Sequence, residues 1–378
     1  LELFATDPLI GAGLPLWLPA GAAARHAIEE YIREEERRAG YQHVYSPPLA
    51  KPEMYRRSGH LPYFAEDMFP PMAMGADPSD ELVLRPSLCP HHAMVYRSRG
   101  RSYRELPLRV AELGGMYRAE RSGVLGGLAR VRSIQLNDAH NFCAPDQLPD
   151  ELAAVLAMVG RAHAALGLQQ ARIRLSLRGQ GGKYAGEPAV WNRAEGVLRD
   201  ALVSAGLAFV EAPGEAACYG PKIDVQIADA AGRDQTLSTI QVDFHQPANF
   251  DLSYVDCDGD RRQPVMVHRS VVGSLERLFA HLIEVHEGAF PAWYAPVQLV
   301  ALPVADAQAS QANAFVAASI GVGLRAEASC DGSLDARIRE AAGRRVPYVA
   351  VIGPREAAAG QASLRLRDGR RLDPMPEG

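Results

Sequence analysis

Residues 107–143 contain two long segments of strand character, "PLRVAELGGMYRAE" and "RVRSIQLNDAHNFC", on either side of the glycine-bearing connection "RSGVLGGLA". This pattern predicts a hairpin with a long loop, and strands joined in this way run antiparallel. The second strand packs Asn137, Asp138, His140 and Cys143 into seven positions of a chain otherwise rich in Ala, Leu and Arg. Such a cluster fits a metal and substrate site or a polar strand edge, and spacing alone does not separate the two.

Around the hairpin the chain alternates long helices with strands. "GAAARHAIEEYIREEERRAG", residues 21–40, places Ala24, Ile28, Tyr31 and Ile32 on one helical face, with Gly40 as its stop. A strand through Val44 and Tyr45 follows, ended by Pro47 and Pro48. Helical patterns at 146–167 and 189–206 flank a strand at 171–179, and further strands are read at 222–230, 235–244 and 263–272. "GSLERLFAHLIEVHEG" repeats Leu275, Leu278, Phe279, Leu282 and Ile283 at helical spacing, as a helix buried on a sheet requires. Near Pro296 the pattern changes to short alternating strands and helices, which predicts a separate small α/β domain beginning at 296–298.

At 378 residues the chain suits two or three domains. No apolar run approaches the roughly 20 residues of a membrane span, and the amino terminus lacks the basic start of a signal peptide. A cytoplasmic enzyme is the expectation. Five cysteines, widely spaced and without a C-x-x-C pair, argue against a disulfide framework and a zinc ribbon, so any metal site must be assembled from distant segments. A net charge of −5 gives no overall signature of nucleic-acid binding, although a local basic face is compatible with it.

The segments "LRPSLCPHHA", "SYRELPLRVAELGGMYRAERSG", "LARVR", "NDAHNFC", "EAPGEAACYGPKID", "IQVDF", "PVMVHRSVVGSLERL" and "RRVPYVAVIG" occur in the order in which a known family carries them. The chain resembles the class II aminoacyl-tRNA synthetases, and among them the threonyl-tRNA synthetases. The resemblance implies an α+β fold: an antiparallel class II catalytic sheet with flanking helices over 1–296, and an α/β anticodon-binding domain over 297–378. The 21–40 helix and the Pro47 strand end resemble motif 1, which implies a homodimer, although a charged amphipathic helix read by itself is a solvated surface.

Several roles follow from the same resemblance. Attack of a carboxylate on the α-phosphate of ATP brings two anions together and needs fixed positive charge. Arg118 matches the arginine that meets this phosphate with a planar fork, Glu120 the acid that accepts from the adenine amino group, and Arg277 the arginine on the γ-phosphate. Arg130 either reaches the phosphates or is an exposed loop arginine. Mg2+ is implied as the bridge between phosphates. Cys89, His140 and His268 match three zinc ligands that leave one coordination position open to substrate, and Asp138 matches the acid that accepts from the threonine hydroxyl. Tyr219 and Lys222 match amino acid pocket residues, Gln241 a polar residue near the ATP ribose, and His60 a histidine that assists transfer to the tRNA ribose.

The chain also departs from the family pattern. Pro86-Ser87-Leu88-Cys89-Pro90-His91-His92 stands where the family commonly reads Pro-Met-Asn-Cys-Pro-Gly-His, and Ser133-Ile134-Gln135-Leu136-Asn137-Asp138 where it reads Gly-Phe-Thr-Gln-Asp-Asp. Ser87 replaces a thioether, Leu136 removes an amide beside the amino acid, and Asn137 replaces an acid. The family's editing domain is not in these residues, so serine misactivation is expected, corrected by a separate editing protein or not at all, because one methyl is worth only about 1–3 kcal/mol. The leading expectation is threonine activation with transfer to tRNA. A second is a paralog that activates threonine, serine or a related β-substituted amino acid for a carrier protein or small amine. A third, a non-catalytic paralog binding tRNA or a partner, sits poorly with the retention of Arg118, Glu120 and Arg277.

Overall fold

The hairpin forms as read. In the computed structural model, which describes residues 1–75, 77, 79–168, 171–181, 184, 187–229, 232–373 and 375–376, Leu108–Tyr117 pairs antiparallel with Ser133–Cys143, in register from Leu108↔Phe142 to Tyr117↔Ser133. Gly114 lies where no side chain fits. A Cβ there would come within 2.3 Å of Leu88 Cδ2, 2.8 Å of Arg85 Nη2 and 2.9 Å of Glu112 Oε1.

The hairpin sits inside an eight-stranded sheet ordered Phe209–Pro213, Arg172–Leu177, Lys222–Ala228, Asp234–Asp243, Val265–Ser270, Ser133–Cys143, Leu108–Tyr117, Gln42–His43. The six inner strands are antiparallel to their neighbours, and only the outermost strand on each side joins in parallel. One row of opposed residues crosses the centre: Lys222↔Gln241, Gln241↔His268, His268↔His140 and His140↔Val110. Opposed residues share a face of the sheet, so this row gathers four of the expected site residues from four separate strands.

The other face carries helices. Asn141 donates to Glu151 of Leu148–Leu166 at 2.9 Å, and Asn137 donates to Glu36 of Pro19–Arg38 at 2.8 Å. Asp138 and His140, alternating with these two asparagines, therefore point away from both helices. On the side of His140, the helix Cys89–Arg97 packs Cys89, Ala93 and Tyr96 against Leu108, Val110, Phe142 and Met266.

The chain divides into two compact units, one made of 6–15 and 32–281 and the other of 1–5, 16–31 and 282–378. The eight-stranded sheet lies in the first. In the second, Ala326–Ala328, Leu299–Pro303 and Tyr348–Ile352 run parallel, and Gln361–Leu366 and Met375–Pro376 continue the sheet antiparallel. Leu299, Ala301, Ala312, Val316, Ala350 and Ile352 form part of its core, the arrangement that the alternation after Pro296 predicts.

Several details differ from the sequence reading, among them the strands Glu81–Leu84 and Phe209–Pro213, which it does not contain. The strand expected through Val44 and Tyr45 is paired only at Gln42–His43, with Val44 N still bonded to Ala111 O at 3.0 Å and Tyr45 83% exposed. The short helices Pro52–Arg57, His60–Phe64, Cys89–Arg97 and Pro354–Ala359 have no counterpart in it. Each holds too few turns for an apolar period to register.

Replacing Gly114 with Ala forces a methyl against Leu88 and the buried Arg85–Glu112 pair. The expected cost is about 2–3 kcal/mol of stability in urea unfolding. Gly115→Ala meets only the side-chain ends of Gln135 and Tyr117, at 3.1 and 3.2 Å, and is expected to cost less than about 1 kcal/mol.

Candidate functional site

A cavity of about 360 Å³ opens on the sheet face that carries the central row. Arg118, Lys222, Gln241 and Arg277 line its polar wall, and Asp138, Tyr219 and His268 also border it. Ser87 and Leu136, two departures from the family pattern, both belong to the lining. Asn137 does not: it lies fully buried on the helix side. Tyr219 also lines an adjoining cavity of about 200 Å³ together with His60, Gln246 and Asn249.

Cys89, His140 and His268 meet beside the larger cavity. Their ligand atoms all lie within 4.8 Å of one another, and all three residues are buried. His140 Nε2 is 3.0 Å from His268 Nδ1. The far nitrogen of His268, Nε2, is 2.9 Å from Asp243 Oδ2. Asp243 is itself held by the backbone N–H groups of His245 and Gln246, at 2.6 and 3.0 Å to Oδ1. A carboxylate at that position accepts from the ring N–H at Nε2 and so favours the tautomer whose Nδ1 lone pair is free for a metal. Two nitrogen lone pairs and a thiolate converging on one point repel unless a cation or proton stands between them. The donor set therefore fits a cation of zinc's softness.

Without a cation the cluster balances charge among its own groups. Burial works against the charge on His268, yet Asp243 and Cys89 carry its pKa up to about 10. Burial likewise opposes ionisation of Cys89, but the neighbouring His60, His140 and His268 hold the thiol well below its ordinary value. Burial, with the Cys89 charge added, pushes Asp138 up to about 8. Ser87 Oγ lies 3.1 Å and Gln246 Nε2 3.4 Å from the sulfur. His60 Nε2 is 3.8 Å from it, and His60 Nδ1 meets Ser58 Oγ at 2.8 Å.

A second group of charges is cationic. Burial and the nearby guanidinium groups of Arg118 and Arg130 push the pKa of Arg277 down, as expected where like charges wait for an anion. Arg277 is steadied by the Thr236 carbonyl at 3.2 Å, while among the described residues Arg118 has no carboxylate partner. Arg130 pairs with Glu120, at 2.8 and 3.0 Å. Glu120 and Arg130 are thus brought together with each other, and neither lines the cavity.

Several functional neighbours escape a sequence reading. His92 lies three residues beyond Cys89 on one helix, and its Nδ1 is 2.7 Å from His140 Nδ1. Glu112 meets His92 Nε2 at 3.2 Å and forms a buried ion pair with Arg85. On the opposite sheet face Arg269, fully buried, donates to Glu36 at 2.7 Å and to Asn137 at 3.2 Å. The helical spacing of Cys89 and His92, and an acid in the middle of an apolar strand at Glu112, are the available signals. In the carboxy-terminal unit, Glu356 accepts from Ser363 Oγ at 2.8 Å and Gly353 N at 3.1 Å, and Arg367 donates to Phe290 O at 2.8 Å.

An antiparallel sheet that carries arginines at a hairpin and on a following helix, beside a Cys-His-His cluster, is the setting in which comparison with known proteins places a class II aminoacyl-tRNA synthetase core. The family model for the tRNA synthetase class II core domain (G, H, P, S and T) matches residues 73–286, and the anticodon binding domain model matches 298–377. Threonine–tRNA ligases of Halalkalibacterium halodurans and Listeria welshimeri are 47% and 46% identical to the chain over 369 residues, covering 97% of it and 57% of each relative. The chain thus spans a little over half the length of these curated relatives. The crystal structure of the RNA binding domain of threonyl-tRNA synthetase from Cryptosporidium parvum superposes with a TM-score of 0.92 at 32% identity, covering 100% of this chain and 93% of that one. The chain belongs to the threonyl-tRNA synthetase family.

Glu112 supplies a test of the buried polar network. Burial alone would raise its pKa, but hydrogen bonds from His92 and Ser46 and the charge of Arg85 hold it at about 2. Its contribution to stability is complete above the unfolded-state value of about 4.3 and is lost as the pH falls towards 2. At about 1.4 kcal/mol per unit this amounts to roughly 3 kcal/mol. Glu112→Gln is expected to be less stable at pH 7 and to lose the dependence of unfolding free energy on pH across that acid window, measured by urea titration at a series of pH values.

Proposed function

We propose that this chain activates threonine with ATP, forming threonyl-adenylate and pyrophosphate, and transfers the threonyl group to the terminal ribose of tRNA. The observation that carries the reading is the placement of the Cys89–His140–His268 cluster beside a cavity walled by Arg118 and Arg277. The amino acid and the triphosphate need opposite electrostatic environments, and this cavity offers both.

Cys89 Sγ, His140 Nε2 and His268 Nδ1 would hold Zn2+, which when bound supplies an open coordination position for the amino and hydroxyl groups of the substrate. Asp138, beside the cluster, accepts from the substrate hydroxyl. Arg118 takes the α-phosphate and Arg277 the γ-phosphate, so that the charge developing at phosphorus meets fixed guanidinium groups. Mg2+ would be held mainly by the phosphates themselves. Glu120 is assigned to the adenine amino group, with Arg130 orienting it or closing on the phosphates. Gln241 is assigned to the ribose, and Tyr219 and Lys222 to the amino acid. His60, in the adjoining cavity, is assigned to proton transfer as the aminoacyl group passes to tRNA. Residues 297–378 would meet the anticodon, and the motif 1 helix with the Pro47 strand end would pair two copies of the chain.

Ser87 and Leu136 in the cavity lining favour a second reading, in which a related β-hydroxy amino acid replaces threonine and a carrier protein or small amine replaces tRNA. Amino acid-dependent pyrophosphate exchange and tRNA charging distinguish the two. Threonine is expected to support both. Valine, which lacks the hydroxyl that the site is built to bind, is expected to be rejected by about 10⁴-fold, and serine by this core alone only by about 10–200-fold. His140→Ala is expected to abolish exchange together with zinc retention, read by metal analysis. Exchange that survives the loss of His140 would overturn the role of the cluster, and exchange without charging would favour the second reading.

Arg277→Ala is expected to lower the exchange rate by about 10²–10³-fold with its circular dichroism unchanged. A rate within a few fold of the unaltered chain would remove Arg277 from phosphate stabilisation.

A further inference from the structure

We infer that His92 and Glu112 are positioning residues that fix the tautomer of His140, so that Nε2 and not Nδ1 is the atom presented to the metal. The inference rests on the reading that Cys89, His140 and His268 hold zinc, and it concerns the chain's own residues behind them.

The direction of each hydrogen bond can be worked out from the far end inwards. Arg85, a permanent donor, gives Nη1–H to Ser46 Oγ at 2.6 Å and Nη2–H to Glu112 Oε1 at 3.0 Å. Ser46 Oγ accepts from Arg85, and its single hydroxyl proton goes to Glu112 Oε2, 2.6 Å away. The Ser46 backbone N–H adds a further donor to Oε1 at 3.3 Å. Glu112 is therefore an acceptor on every side, and His92 Nε2, 3.2 Å from Oε2, must donate.

A neutral His92 with its proton on Nε2 has a lone pair on Nδ1. That lone pair faces His140 Nδ1 at 2.7 Å, with the two rings nearly perpendicular. His140 must then carry its proton on Nδ1, which leaves the Nε2 lone pair aimed at His268 Nδ1 and the cluster. The opposite tautomer would place a proton where the metal binds and set two lone pairs against each other at 2.7 Å.

His268 reaches the same state by a shorter route, through Asp243. Both ring ligands are thus governed by a carboxylate, directly for His268 and through an intervening imidazole for His140. His92 is completely buried and contributes nothing to the cavity wall, so its effect on the site runs through this hydrogen bond.

The test has two parts. Long-range proton–nitrogen NMR of zinc-loaded, histidine-labelled protein is expected to show His140 protonated at Nδ1 and metal-bound at Nε2. A His140 bound through Nδ1 would overturn the inference, and this measurement needs no variant. Competition titration with a zinc chelator is expected to show His92→Phe binding zinc about 10–100-fold more weakly than the unaltered chain. Equal zinc affinity in the two would overturn the inference while leaving the metal reading intact, whereas failure of the unaltered chain to bind zinc would overturn both.

Discussion

The register of the central strands is the constraint on which the site depends. Lys222, Gln241, His268 and His140 come from four strands and meet only because those strands pair residue for residue across the sheet. A slip of one position would turn His140 towards the helices and bring Asn141 or Ala139 into its place. The pairing is secured from behind. Arg269, Asn137 and Glu36 form a buried polar network on the opposite face, and breaking such a network by displacing one partner costs about 3–5 kcal/mol. The network pairs Arg269 with Asn137 on the neighbouring strand and Glu36 on the helix, so polar contacts on the helix side help determine which residues face the cavity.

Two electrostatic demands are kept apart within one cavity. Cys89, His140 and His268 converge donor atoms that require a cation, whereas Arg118 and Arg277 present charge that requires an anion. Gln241 stands between Lys222 and His268 in the central row. Fixed dipoles and charges of this kind cost no reorganisation when reactants arrive; His140, His268 and Gln241 stand on strands, Cys89 and Arg277 on helices, and Arg118 directly follows the strand Leu108–Tyr117. Glu120 and Arg130 are the exception. They belong to the hairpin connection, and they satisfy each other.

How much of this was legible follows from the range of the interactions. The long strands and helices declare themselves through periods of two and 3.6 residues, and the hairpin and the change of pattern near Pro296 are read directly. Helices of about one turn, such as Pro52–Arg57, carry no usable period, and Val44–Tyr45 looks like a strand because propensity says nothing about whether a neighbour is there to pair. In the site, Cys89, His140 and His268 were reached through family resemblance, not spacing. His92 and Glu112 were missed, because a buried histidine gains its meaning only from partners 48 and 20 positions away. Ser87 and Leu136 depart from the family pattern, and both line the cavity. Asn137, a third departure, belongs instead to the helix-side network.

That network also bears on how this sequence can drift. At positions 36, 137 and 269 the chain carries one acid, one amide and one guanidinium, and the single acid comes from the helix, not from the strand beside Arg269. An acid at position 137, the residue the family commonly has, would place a second carboxylate against the first, with Arg269 already committed. Loss of Glu36 alone would leave the guanidinium buried without a counter-charge. Either change alone disturbs the charge balance around Arg269, so positions 36 and 137 are energetically coupled through it.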